Sequence, residues 1–172
     1  MIDYDLFKEI ELYAKRHVES SSEYYKSRNQ STDKMFKNCF DGKVAEWSNY
    51  FSLIEAGYIM KNKPDHQIYS QHNKSYEADL ICIGKDNHLY EKEKHIHVKS
   101  ISIGTYNKIG ASFLIQKNDN LVTNPDPDHY FSVMLQKSLT HYVFYKWINS
   151  CDVSYSEPRA NHLAATKLAV YL

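Results

Sequence analysis

The sequence predicts a helical N-terminal segment leading into an α/β or α+β domain built around a central sheet. Three observations predict it. Apolar residues recur at helical spacing from residue 4 to about 28, and again from 42 to 56. From about Tyr58 the pattern turns to strands, with alternation over residues 76–83 and 89–103. Further apolar runs of strand length follow, and a last helix-like stretch closes the chain. Helices, then strands, then a helix argue for helical layers packed on a sheet.

In the first helix, Leu6, Ile10, Tyr13, Ala14, His17 and Val18 supply the apolar stripe, and Ser20-Ser21-Ser22 ends or bends it. Ser31-Thr32-Asp33 caps a short second helix to about Cys39. Asp41-Gly42 opens a third, which stops at Ala56-Gly57, glycine being the usual C-terminal stop. On a helical wheel Val44, Trp47, Tyr50, Phe51, Leu53 and Ile54 share one half, and Glu46 falls among them. A carboxylate aimed at an apolar side is costly unless something compensates it, so Glu46 is the odd residue of that helix.

The two alternating segments are joined by Gly84-Lys85-Asp86-Asn87, a turn. Phe113–Gln116, Tyr130–Leu135 and His141–Ile148 read as further strands, and Asn124-Pro125-Asp126-Pro127-Asp128 as a loop. Glu157-Pro158 opens a final helix to about Tyr171, with Pro158 suited to the first helical position.

A chain of 172 residues, 42% of them hydrophobic, is long enough for one domain with its own core. Fifteen tyrosines add apolar bodies whose hydroxyls need partners. Lys+Arg and Asp+Glu both number 21, which argues against a polybasic binder held by bulk charge but leaves room for a local basic face. The three cysteines, Cys39, Cys82 and Cys151, form no CxxC pair and read as reduced thiols in a cytoplasmic protein. Residues 1–7 are too charged for a signal peptide. No apolar run approaches the roughly 20 residues of a membrane span.

The chemistry concentrates at the paired strands. Residues two apart share a face, so Glu77, Asp79 and Ile81 align on one strand and His95, His97 and Lys99 on the next. Paired as a hairpin, these strands bring Asp79 near His97 and Lys99, and Glu46 can enter from a helix packed on the sheet. Phosphodiester hydrolysis uses such a group. A divalent cation neutralises the phosphate and activates water. Carboxylates are the natural ligands of magnesium, and a neighbouring lysine stabilises developing charge.

Gly42-Lys43-Val44-Ala45-Glu46 on a helix, Glu77-Ala78-Asp79-Leu80 on a strand and His97-Val98-Lys99 on the next resemble the PD-(D/E)XK nuclease superfamily in kind and order. The resemblance spans residues 41 to 117, taken as the catalytic core between an N-terminal helical segment (1–40) and C-terminal strands and helix (118–172) of a single domain. It implies a restriction-endonuclease-like α/β fold, with a central mixed β-sheet flanked by helices. It also implies magnesium-dependent cleavage of DNA, with Asp79 and Glu46 holding the ion, the Val98 carbonyl adding a ligand and Lys99 acting as the catalytic lysine. A restriction, homing or phage enzyme would fit, as a homodimer if one site per chain must cut both strands. Lys43, Lys108, Gln116 and Lys117 are the candidate nucleic-acid contacts.

His97 departs from the pattern, because the family carries an acidic residue there. Imidazole suits softer metals, so His97 either assists the metal indirectly, shifts the preference to manganese, or marks a binding module without activity. Plainer readings stand beside these. Asp79 can be a strand-end carboxylate, Lys99 an edge-strand lysine, Glu46 the partner of a core lysine or tyrosine, and His95 and His97 ordinary polar-face residues. Asp65, in the literal Pro64-Asp65, is kept as an alternative to Asp79. Metalloprotease spacing and phosphate-binding glycine loops are absent from the sequence.

Overall fold

The computed structural model describes residues 2–26, 31–68, 78–160 and 163–172. Two long helices come first, α1 (Tyr4–Lys26) and α2 (Thr32–Glu55). Ile10, Ala14 and Val18 form the buried seam of α1, and the serines at 20–22 do not end it. Ser31 caps α2, its hydroxyl accepting the Lys34 amide at 3.3 Å. The two helices expected between residues 31 and 56 are a single one. Gly42 sits in its interior rather than at its start. Burial of Met35, Val44, Ala45 and Leu53 along α2 outweighs the local cost of a helical glycine, about 1 kcal/mol.

Gly57, at φ +83°, stops α2 and hands the chain to β1 (Tyr58–Met60). Then come β2 (Leu80–Lys85) and β3 (His88–Ile101), antiparallel to one another. Asp86 and Asn87 both take positive φ, the two-residue turn that suits a twisted hairpin. The first strand begins at Leu80 rather than residue 76. Glu77 lies outside the described residues.

From β3 the chain passes through α3 (Ile103–Ile109), β4 (Ser112–Gln116) and α4 (Asn120–Thr123), then enters β5 (His129–Ser138) parallel to β3. β6 (His141–Asn149) returns antiparallel at the edge. The sheet order is therefore β1-β2-β3-β5-β6, a mixed five-stranded sheet.

The last element overturns the sequence reading. Residues 167–171 are not the end of a helix but a strand, β7 (Lys167–Tyr171), paired antiparallel with β4 in a second, two-stranded sheet. Pro158 is buried in irregular chain instead of opening a helix. The Ala and Leu content of residues 163–170 favours helix locally, but the ladder to β4 buries Ala169 and Val170, and that long-range gain wins.

One core face joins α1 and α2 to the sheet through Ile10, Val44, Ala45 and Met134, continuing through Leu53, Leu80, Cys82 and Ile96. The opposite face packs Ile101, Phe131 and Val133 against Phe113, Leu121 and Val170. Alternation along β3 thus turns Ile96 and Val98 toward the helices, and His97, Lys99 and Ile101 the other way. No helix among the described residues is long and apolar enough to cross a membrane.

Candidate active site

β2 begins at Leu80, opposite Ile96, while β3 runs on to Ile101. Among the described residues, the β2–β3 ladder ends at the Leu80–Ile96 pair, so no described strand meets the β3 amides beyond Ile96 on this side. Asp79, the residue just before β2, fills the gap: its Oδ2 accepts the Val98 N–H at 2.6 Å. Asn62, in the chain leaving β1, fixes this corner. Its Oδ1 accepts the Ile81 amide at 2.6 Å and its Nδ2 donates to the Asp79 carbonyl at 3.4 Å. The Lys61 amide donates to the Ile81 carbonyl beside it.

Glu46 reaches the site from α2, with its side chain 16% exposed. Lys43, one turn earlier and buried, donates to Glu46 Oε2 at 2.6 Å and lies 4.9 Å from the centre of the Tyr13 ring. Lys99 approaches from the other face of the sheet, 5.6 Å from the Phe131 ring centre, and still acts electrostatically on Asp79. Asp79 thus interacts electrostatically with Glu46 on the helix side and with Lys99, which stands on the opposite face of the sheet from Glu46.

Burial is the main force on both carboxyls. It pushes Glu46 up to about 8, with the negative charge of Asp79 adding to the rise and Lys43 opposing it. Asp79 is raised as well, chiefly by burial, against the pull of Lys99, the Val98 amide and Lys43. Asp65 adds repulsion to both. Its segment is held in place by His66, whose Nε2 accepts the Trp47 indole N–H at 3.0 Å. Two partly enclosed carboxyls that repel one another under a deficit of positive charge are a recurring property of functional sites.

His97 does not turn toward this group. Its Nε2 shares a hydrogen bond with His129 Nδ1 at 2.9 Å, and the His129 ring stacks on His95 with centroids 4.6 Å apart. Burial first, then Lys99 and the flanking imidazoles, depress His97 to about 3, so it is neutral at physiological pH. Among the described residues, no three His, Cys, Asp or Glu side chains converge as a ready-made metal cage.

The candidate nucleic-acid contacts are scattered. Lys43 is buried at the site rather than exposed for phosphate. Lys108 is exposed at the end of α3. Lys117 pairs with Glu157 at 3.2 Å, and Gln116 pairs with Lys167 across β4 and β7. Sequence reasoning passed over Asn62 and His129. Each acts through a partner far along the chain, and neither belongs to a local pattern.

Burial also orders the thiols. Cys39 beside the site is pushed up to about 11, Cys82 is buried in the core and Cys151 is exposed. Iodoacetamide at neutral pH is expected to label Cys151 first and to leave Cys39 and Cys82 unmodified until denaturant is added. Peptide mass mapping checks this, and early labelling of Cys39 would show that its enclosure is wrong.

No family model, curated protein or solved structure matches the chain.

Proposed function

We propose that this protein is a metal-dependent endonuclease that hydrolyses phosphodiester bonds in DNA, on a restriction-endonuclease-like variant of its mixed sheet. The observation that carries the reading is the placement of Asp79, whose Oδ2 holds the Val98 N–H at 2.6 Å where β2 gives out beside β3, with the enclosed Glu46 on α2 and the Lys99 charge both acting on that corner. The chain order of helix with Glu46, Asp79 immediately before a strand, and strand with Lys99 supports it. So does the crossover that sets β5 parallel to β3.

The donors fit a hard divalent cation. Asp79, Glu46 and the Val98 carbonyl offer oxygen only, while the His97 nitrogen is engaged by His129, a donor set that suits magnesium and accepts manganese as well. When bound, such an ion supplies charge to the phosphate and acidity to the attacking water.

The remaining work falls to the protein. The Val98 amide and Asn62 hold Asp79 in one orientation, and the enclosed setting strengthens every charge interaction there. The Lys99 ammonium, on the strand beside Asp79, stabilises the extra negative charge of the pentacovalent phosphate and orients the water.

A second reading is favoured by one observation. The Lys43–Glu46 pair already supplies positive charge from within the chain, as a non-catalytic nucleic-acid- or protein-binding module would need. The deciding experiment incubates the protein with plasmid, single-stranded DNA and RNA in magnesium, manganese or EDTA, alongside Lys99→Ala. Cleavage that needs magnesium and is lost in Lys99→Ala supports the nuclease. Binding that survives EDTA with no cutting of any substrate supports the module. Cutting of RNA alone would reassign the substrate.

A further inference from the structure

A cavity of about 460 Å³ lies between the start of α1, the second half of α2 and the turn from β5 to β6. Its volume falls within the roughly 300–1,000 Å³ of ligand pockets. From α2 come Ser48, Phe51, Ser52 and Glu55, spaced i, i+3, i+4 and i+7, which is one stripe of the helix. Phe7 of α1 and the buried Tyr142 of β6 add to the apolar part. The phenylalanine rings are held in place. Phe7 packs edge-on against Phe40 with centroids 5.2 Å apart, and Phe51 lies against Trp47 at 5.6 Å. They supply a rigid apolar wall rather than free faces for stacking.

The fixed charge on the walls has one sign. Asp3 and Glu55 are acidic, no wall residue is lysine or arginine, and His141 is the one other wall side chain able to turn positive. Asp3 is accounted for by α1. It accepts the Leu6 amide at 2.9 Å, and its charge sits against the positive end of that helix. Glu55 has no such reason. It is the last residue of α2, in a turn without a basic residue, where the helix dipole already presents its negative end. None of the ion pairs among the described residues includes it. Lys8, which lies over the Tyr4 ring, is paired with Glu11 at 3.1 Å. A carboxylate set against a helix dipole costs stability that a bound cation would restore, and a local rule broken in this way is a mark of functional positions.

We propose that this cavity binds a small organic cation, an amine with an apolar body. Glu55 meets the ammonium, and Phe7, Phe51 and Tyr142 cover the body. An anion would meet only like charge, and a bare metal ion would gain nothing from the apolar wall. The proposal is independent of the nuclease reading, because Glu46, Asp79 and Lys99 are not among the wall residues.

The test is isothermal titration calorimetry of the full chain with 2-phenylethylamine and with 2-phenylethanol, which carries a neutral hydroxyl in place of the ammonium. The amine is expected to bind at least roughly tenfold more tightly, the size of one hydrogen bond between charged groups. Glu55→Gln is expected to bring the two probes to within roughly twofold of one another while melting no lower than the wild type, because the amide does not oppose the dipole. Ser52→Trp is expected to fill the cavity and abolish binding of both. No binding of the amine, equal affinity for the two probes, or an amine preference that survives Glu55→Gln in a folded protein overturns the proposal. So does undiminished binding by folded Ser52→Trp, which would place the amine elsewhere.

Discussion

Asp79→Asn is expected to lower the rate of magnesium-dependent cleavage by on the order of 10³-fold without unfolding the protein. The substitution keeps an oxygen that can accept the Val98 N–H, so the corner between β2 and β3 can stay closed. It removes a negative charge from a place where burial and Asp65 already oppose one. The variant should therefore melt no lower than the wild type at pH 8, and activity and stability should move apart. Single-turnover cleavage and circular-dichroism melts measure the two. Cutting within tenfold of wild type would exclude Asp79 as a metal ligand. A large fall in melting temperature would make its role structural.

Stability of the metal-free protein is expected to fall as pH rises from about 4.5 to about 8, and magnesium is expected to restore it at the upper end. Glu46 titrates at about 8 in the fold against an ordinary 4.5, and Asp79 is shifted in the same direction. A carboxyl with a raised native pKa holds a proton that the unfolded chain has already released. Its stabilising effect is complete below the unfolded value and is lost as pH climbs through the native one. Allowing for the Lys43 pairing and for coupling between the carboxyls, the loss is about 2 kcal/mol, or roughly 4–8 °C in a domain of this size. Magnesium at pH 8 should recover most of that interval and have little effect at pH 5, where Glu46 is protonated. Thermal melts across this range with magnesium or EDTA check it. A melting temperature that is flat or rising to pH 8, or magnesium stabilisation equal at both pH values, would sink the idea. Asp79→Asn should flatten the profile.

What could be read from the sequence was whatever local periodicity encodes. Glu46 stood out because a carboxylate on an apolar helical half needs a reason, and its buried Lys43 partner and Asp79 neighbour supply one. Asp79 and Lys99 stood out by alternation on adjacent strands. Long-range partners left no such trace. The parallel register that sets His95 against His129 joins residues separated by a whole crossover, so the pairing of His97 with His129 had no signal in either strand. Asn62 and Asp65 come from an irregular segment whose position is set by long-range packing on α1, α2 and β2. Lys43 was read as a nucleic-acid contact because a helical wheel does not know that Tyr13 of α1 packs against it. The closing helix failed for a related reason: β7 is specified by β4 and not by its own residues.

That pairing between β4 and β7 also bears on how the polypeptide reaches its native state. Phe113 and Ile115 sit opposite Val170 and Leu168 in the ladder, partners more than 50 residues apart in the sequence. The helix-covered face of the sheet is complete once β5 and β6 have been made. The other face must wait, with Phe113, Phe131 and Val133 uncovered, until β7 has left the ribosome. Premature termination upstream of Lys167 would leave a half-finished sheet with an open apolar side, a species that chaperones retain and proteases clear.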